Sequence, residues 1–291
     1  MIIVTGATGV LNGTTVEHLL KLVPADRIGV SVRDVAKAQH LADRGVRVRR
    51  GSYDDPAALL DSFEGADQVL LVSSSDPAAD QVSLHRVGIE TAVAAGARRI
   101  LYTSHQSVGL DSPFHPGRVH AATEALLAGS GVAWTSFRNG FYAHTLDWLL
   151  GPWRETGIIA APADGPVSWT DRGDEAEAAA VILASQQPFD GPVTLTADDA
   201  VTFGDIAGIA SELTGRDIRR VVIDDDEWVA GQVAHGTPEF LARFLLGTFQ
   251  AAREGRFAGV DPLLGELLGR TPRTVRDLLA DRLDQGPTAL R

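Results

Sequence analysis

No cysteine occurs among the 291 residues, which removes disulfides, thiolate metal sites, thiol nucleophiles and redox-sensing thiols together. Lysine is confined to Lys21 and Lys37, and tyrosine to Tyr53, Tyr102 and Tyr142. No tyrosine has a lysine four residues later, so the Tyr-x-x-x-Lys device, in which lysine lowers the phenol pKa for proton donation near neutral pH, is absent. A carbonyl reductase built on that pair is disfavoured. Positive charge is also in deficit: the formal net charge is -12, a field that repels phosphate backbones and anionic lipid surfaces and so argues against nucleic acid or membrane as a partner. No apolar run approaches the ~20 residues needed to span a bilayer. The first residues read as a strand rather than a charged-then-apolar export signal, so a cytoplasmic location is expected.

What remains is an ordinary globular composition, with 44% hydrophobic and 22% charged residues. Short apolar or β-branched runs at Ile2–Thr5, Arg27–Val32, Val46–Arg50, Gln68–Val72, Arg99–Thr103 and Ala133–Arg138 alternate with amphipathic segments near 10–22, 34–43, 56–63, 78–95 and 117–130. That alternation predicts an α/β protein with a doubly wound, Rossmann-type parallel sheet. After Tyr142 the rhythm changes. Short strands at 158–161, 167–170, 193–195 and 218–223 are expected among helices near 173–185, 202–214, 225–235, 237–252 and 272–283. We therefore expect a dinucleotide-type domain over 1–150 and a smaller, mostly α-helical lobe over 151–291 that partly returns to the sheet, with a soft boundary. The tail DQGPTALR is the only segment of low complexity.

MIIVTGATGVLNG places Gly6 and Gly9 between a first strand and a helix. There the chain must turn sharply and bring backbone N–H groups against a pyrophosphate at the positive end of the helix. Thr8, Val10, Leu11 and Asn12 complete the candidate cofactor loop. The third glycine position of the pattern holds Asn12, with glycine only at Gly13, so close packing of the helix must be arranged differently. At the end of the second strand, VSVRD puts Arg33 where a 2′-phosphate reader belongs, which favours NADP(H) over NAD(H). Asp34 beside it either accepts ribose hydroxyls or caps the next helix.

As a set, TGATG, Arg33, GSYDDPAALLDSFEGADQVLLVSSS at 51–75, ILYTS at 100–104, HAATEALLAGSGVAWTSFRNGFY at 120–142 and SWTDRGDEAEAAAVIL at 168–183 resemble the NmrA-like group of atypical short-chain dehydrogenase/reductases. VTLTADDAVTFGDIAGIASELTGRDI extends the likeness into the second lobe. The group includes quinone reductases, triphenylmethane reductase and non-catalytic NADP(H) sensors. The resemblance implies that Ser73, Ser74 and Ser75 run beside the cofactor, that Thr103 and Ser104 end the fifth strand near the nicotinamide, and that Asn139, Phe141 and Tyr142 line the nicotinamide or acceptor pocket. Phe141 and Tyr142 packing a lobe junction is the plainer alternative. His120 falls where related reductases carry a catalytic Lys or Tyr.

Spacing adds that His120 and Glu124 share a helix face. Glu124 can then orient the imidazole for oxyanion stabilisation or proton delivery, unless the two form an ordinary surface pair. His105, beyond Ser104, is a second donor candidate. His18, His40, His85 and His144 sit on predicted helices without acids at metal spacing, so no metal site is expected. The reading is an NAD(P)H-dependent reductase that passes hydride to a planar conjugated acceptor such as a quinone. A phenolate-like product oxygen needs no strong acid. A non-catalytic NADP(H)-sensing regulator and a pathway-specific tailoring reductase remain the alternatives.

Overall fold

The computed structural model of the protein describes residues 1–76 and 78–284. Pro77 and, apart from Asp284, the tail DQGPTALR lie outside the described residues. Seven parallel strands form the main sheet: β1 (Ile2–Thr5), β2 (Ile28–Val32), β3 (Arg47–Arg50), β4 (Gln68–Leu71), β5 (Arg99–His105), β6 (Ala133–Asn139) and β7 (Gly191–Leu195). Their spatial order is β3-β2-β1-β4-β5-β6-β7. The order reverses between β1 and β4, the place where open α/β sheets gather ligands beyond the strands' carboxyl ends.

The strands read as apolar runs because both of their faces are covered. On one face α1 (Val10–Leu19) and α5 (Arg172–Ala184) pack together over Val4, Val30, Leu70, Leu101 and Phe137. Ala176, Ala178, Ala179 and Ala180 give α5 a flank with little side-chain bulk. On the other face α2 (Pro56–Ser62), α3 (Gln81–Ala94) and α4 (His115–Ala128) cover Ile3, Val69, Ile100 and Tyr102. A third core fills the lobe, around Phe114, Phe141, Trp153, Trp169, Phe203, Trp228, Phe249 and Phe257. Two short parallel pairs brace it, Phe141–Tyr142 with Trp169–Thr170 and Ile158–Ala161 with Arg219–Val222. None of the helices among the described residues is long and apolar enough to cross a membrane.

Several boundaries differ from the sequence expectation for local reasons. The helix expected over 34–43 is a 3-10 turn, Val35–Ala38, followed by one α turn, Gln39–Ala42, because Asp34 caps the amide of Ala36. The helix expected from 78 starts at Gln81, after Asp80 accepts from the Ser83 amide. The one expected from 117 starts two residues early, with Pro116 in the first turn, a position that lacks a partner for an N–H in any case. Leu263–Leu268, following Pro262, is a helix that the periodicity did not reveal.

Candidate active site

The loop after β1 is built to expose its backbone. Gly6 has φ +65°, and a Cβ there would stand 2.6 Å from Val72 Cγ1. Its amide donates to Ser31 O (3.2 Å), while Gly9 donates back to Gly6 O (2.9 Å) and caps α1. Thr8, Gly9 and Val10 are left exposed at the positive end of the helix. Thr5 ties the loop to the switch point, accepting from the Val72 amide (2.8 Å) and donating to Leu70 O (3.1 Å). Asn12 requires a correction. Its side chain is buried and donates to Thr5 O at 2.8 Å, so it braces the loop from beneath rather than meeting an anion. The close approach missing at Asn12 is supplied by Gly13, whose Cβ would lie 2.9 Å from Ala7 O.

Arg33 is exposed at the end of β2, whereas Asp34 is spent on its cap. Of the two roles open to Asp34 in the sequence, the structure shows the cap. The serine loop after β4 is pinned through its backbone. Ser73 N–H donates to Thr103 Oγ1 (2.8 Å), Ser74 N–H donates to His85 Nε2 (2.8 Å), and Gln81 Nε2 donates to Ser74 O (2.7 Å). Ser75 is exposed. Thr103 thus holds two strand ends together.

From Ser74 a buried chain of rings runs inward, and its hydrogens can be assigned. Because a backbone N–H donates to His85 Nε2, that ring carries its proton on Nδ1. Nδ1 faces Thr123 Oγ1 at 2.9 Å, and Thr123 already donates to Val119 O. Nδ1–H therefore donates to Thr123. The Tyr102 hydroxyl lies 2.9 Å from His120 Nδ1 and 3.4 Å from His85 Nδ1. Pairing every hydrogen with an acceptor makes Tyr102 donate to His120 Nδ1, which leaves the His120 proton on Nε2. His105 reaches the same tautomer independently, since the Ser107 amide donates to its Nδ1 at 3.1 Å. The two rings lie nearly parallel, with centroids 6.2 Å apart. Burial holds His85 near pKa 4 and His105 near 3; burial, reinforced by His105 and His85, holds His120 well below the ordinary range. All three are neutral at physiological pH, and His105 and His120 present N–H donors.

Glu124 does not orient His120, contrary to the sequence expectation. Its carboxylate accepts from Ser104 Oγ (2.8 Å), Ser136 Oγ (2.7 Å) and the Arg138 guanidinium (3.1 and 2.6 Å). The reason is register. Ser104 pairs with Arg138 and Tyr102 with Ser136 across β5 and β6, so Ser104, Ser136 and Arg138 meet α4 from one sheet face. Ser104 is thereby committed to a structural bond. The orienting partner of His120 is Tyr102, one face-sharing position earlier on β5.

At the lobe junction, His105 is enclosed by Phe114, Phe141 and Phe257, with ring centroids 5.2–5.5 Å away, and Phe141 meets Trp169 edge-on at 5.2 Å. Phe141 is therefore core as well as wall. Tyr142 stands beside it with its hydroxyl accepting from Asn139 Nδ2 at 3.5 Å. Among the described residues, eight buried side-chain polar atoms lack a hydrogen-bond partner, and five of them lie in the segment 139–175: Asn139 Oδ1, His144 Nδ1, Trp169 Nε1 and both oxygens of Glu175. Buried orphans are rare in folded proteins and call for an explanation such as a ligand or water. Their concentration in the segment that follows β6 makes it the second half of the candidate site.

Residues 1–266 match the NmrA-like family. The chain belongs to this family. Within its range of relatives, the chain is 34% identical over 279 residues to quinone oxidoreductase 2 of Escherichia coli (strain K12), covering 95% of this chain and 96% of that protein. The NAD(P)H azoreductase of Xenophilus azovorans is 30% identical, with 94% and 95% covered. Two solved structures superimpose throughout: the E. coli NADPH-dependent quinone oxidoreductase complexed with NADPH (TM-score 0.91, 32% identity, 98% and 100% covered) and the Citrobacter sp. triphenylmethane reductase complexed with NADP(H) (TM-score 0.87, 30% identity, 97% and 99% covered).

In this NmrA-like protein the sequence reading had gathered Gly6, Thr8, Gly9, Val10, Leu11, Arg33, Ser73, Ser74, Ser75, Thr103, His105, His120, Asn139, Phe141 and Tyr142. The structure sets them at the carboxyl edge of β1, β2, β4, β5 and β6 or on the turns that follow, except His120, which reaches that edge from the second turn of α4 through its contacts with Tyr102 and His105. It missed His85, Tyr102 and Glu175. Tyr102 carried a signal, being a lone phenol inside an apolar strand.

The buried imidazoles make an acid-sensitive fold. Unfolding returns them to about 6.5, so below that pH the unfolded chain binds more protons and stability falls as pH falls. Glu175, pushed well above its ordinary range by burial and then by Asp171, acts in the opposite sense above 4.5 and not below it. His144, also held near pKa 4 by burial and then by Arg172 and Arg282, makes four imidazoles against one carboxyl, a net three protons. Urea unfolding between pH 6.5 and 4.5 is therefore expected to lose up to about 4.1 kcal/mol per pH unit. A flat profile across that window would contradict the burial of these rings.

Proposed function

We propose that this protein is an NADPH-dependent reductase that transfers hydride to a planar conjugated acceptor such as a quinone. The observation that carries the reading is the cluster of unsatisfied polar atoms and aromatic rings at the ends of β5 and β6, in the same row of strand ends as the glycine loop. The names and bound cofactors of the relatives support it.

The residues fit a dinucleotide. Gly6, Gly9 and the amides at the start of α1 would hold its pyrophosphate, Arg33 a 2′-phosphate, and the unpartnered Asn139 Oδ1 the carboxamide of its nicotinamide. When bound, a reduced nicotinamide supplies hydride. The chain's own part is to position and to stabilise charge. The phenylalanines around His105 make a dry wall suited to a flat ring. The N–H of His120, fixed by Tyr102, and that of His105 are pre-oriented dipoles for an oxygen that gains negative charge. Loss of the Tyr-x-x-x-Lys pair is tolerable because a reduced quinone oxygen is a weak base.

The decisive assay is steady NADPH oxidation with a panel of quinones and dyes. Sustained turnover is expected; tight NADPH binding with no turnover of any acceptor would instead establish a sensor. In the same assay Arg33→Ala is expected to raise KM for NADPH about 10-fold or more, the worth of charge-assisted phosphate bonds, and to leave KM for NADH within twofold. Equal changes for both cofactors would remove the 2′-phosphate role.

A further inference from the structure

Hydride addition to a quinone leaves an oxygen that must take up a proton, and the imidazoles cannot give one. A neutral ring N–H holds an oxyanion but is far too weak an acid to release its hydrogen near neutral pH. Two of the three phenols are also spent. Tyr102 donates to His120, and Tyr53 donates to Val72 O at 2.8 Å. Tyr142 differs. Its oxygen accepts from Asn139, while no acceptor among the described residues is bonded to its hydrogen.

Glu175, in the first turn of α5, is near enough to Tyr142 for its charge to act on the phenol. The chain reaches it directly from the site, because Tyr142 pairs in register with Thr170 and Asp171 then caps the helix. The side chain is 1% exposed, and neither carboxyl oxygen has a hydrogen-bond partner among the described residues. The Gly140 amide acts on it only weakly, since that hydrogen goes to Leu195 O at 2.8 Å. The charged groups around it on its own helix are Asp171, Arg172 and Asp174. From the facing segment come Tyr142, whose phenol is raised by burial and then by Glu175, and His144, lowered to about 4 by burial and then by Arg172 and Arg282. Arg172 does not neutralise the site: Glu175 remains well above its ordinary range, as burial and the Asp171 charge together require. A buried carboxyl with nothing to bond is a cost to the fold, which a role in chemistry explains.

We propose that Glu175 is the proton reserve of this reductase, resupplying the Tyr142 hydroxyl as Tyr142 hands its hydrogen to the oxygen of the reduced acceptor. The inference rests on the reductase reading. Hydride from the reduced nicotinamide brings both electrons. The Tyr142 O–H bond then breaks as an O–H bond forms on the acceptor, and the carboxyl O–H of Glu175 breaks as that of Tyr142 re-forms across one intervening water, since the two side chains are not hydrogen-bonded to each other. Glu175 regains its proton from solvent once product has left. Tyr142 is the catalytic group and Glu175 acts through it.

Two acceptors separate proton delivery from structure. Menadione needs a proton after hydride; a triphenylmethane dye cation becomes neutral on taking hydride alone and needs none. Tyr142→Phe and Glu175→Gln are each expected to lower kcat with menadione about 10-fold or more, within the range of general acid catalysis. With the dye cation any loss should be smaller, so that the ratio of menadione to dye rates falls about 10-fold. On the ligand-free protein, infrared difference spectra should show the carbonyl stretch of a protonated carboxylic acid at neutral pH that disappears in Glu175→Gln. Glu175→Leu should unfold at the same temperature as the parent or higher, because it removes an unsatisfied buried group. Parallel losses with both acceptors, an unchanged menadione rate, or a carboxylic-acid band that survives the substitution would overturn the relay. A parent protein active on neither acceptor would remove the reductase reading, and the relay with it; a parent active on both with unaffected variants removes the relay alone.

Discussion

Gly6→Ala is expected to weaken NADPH binding at least 100-fold in calorimetry while leaving the protein folded. An L-residue at φ +65° costs about 1–2 kcal/mol, which this fold can absorb. The larger effect is steric. The new methyl would sit 2.6 Å from Val72 Cγ1, at the end of β4, where the Val72 amide is already held by Thr5. The loop must then lift away from the switch point, and its amides lose the alignment that an anion needs at the start of α1. Gly65→Ala is the control. Gly65 has nearly the same φ, +69°, but no atom lies within 4 Å of its added Cβ. It should bind NADPH normally, so equal weakening in both variants would mean that backbone strain, not the cradle, is responsible.

Glu124→Ala is expected to cost about 2–3 kcal/mol in urea unfolding, because two buried hydroxyls lose their charged acceptor and the one-third-exposed Arg138 loses its partner. The loss follows from what it abandons: the guanidinium of Arg138 and the hydroxyls of Ser104 and Ser136, all aimed at one buried carboxylate. The double variant Glu124→Leu with Arg138→Met should recover a large part of the stability, since no unpaired charge then remains. If Glu124→Ala kept full stability and lost only turnover, the catalytic assignment made from spacing would be right and the structural one wrong.

That case shows where a sequence is legible and where it is not. The strands were readable to within one or two residues, because strands buried on both faces are written as apolar runs, and the glycine loop because its spacing answers to backbone geometry. His120 and Glu124 share a helix face in any helix of that register. Which neighbour each one meets depends on the strand opposite, and the pairing of Ser104 with Arg138 is set by sheet register that no local pattern encodes. Glu175 was hidden for another reason. An acid in the first turn of an alanine-rich helix looks like a solvated charge favoured by the helix dipole, and only the covering by the lobe shows it to be buried. Asn12 was misleading in a third way, because the glycine function it appeared to delete had moved one residue along to Gly13.

The lobe leaves the sheet at two places, after Asn139 on β6 and after Leu195 on β7, and those two residues are partners in register on adjacent strands. The chain also crosses back onto the sheet layers at α5 and at Leu263–Leu268, so the clearance between lobe and sheet is fixed by several packed segments rather than by one hinge. Thr170 narrows the clearance further, since its Oγ1 would lie 2.0 Å from a Cβ on Gly140, the first residue past the stem. Any side chain at Gly140 would therefore have to push Thr170, and with it the paired strands Phe141–Tyr142 and Trp169–Thr170, away from the sheet.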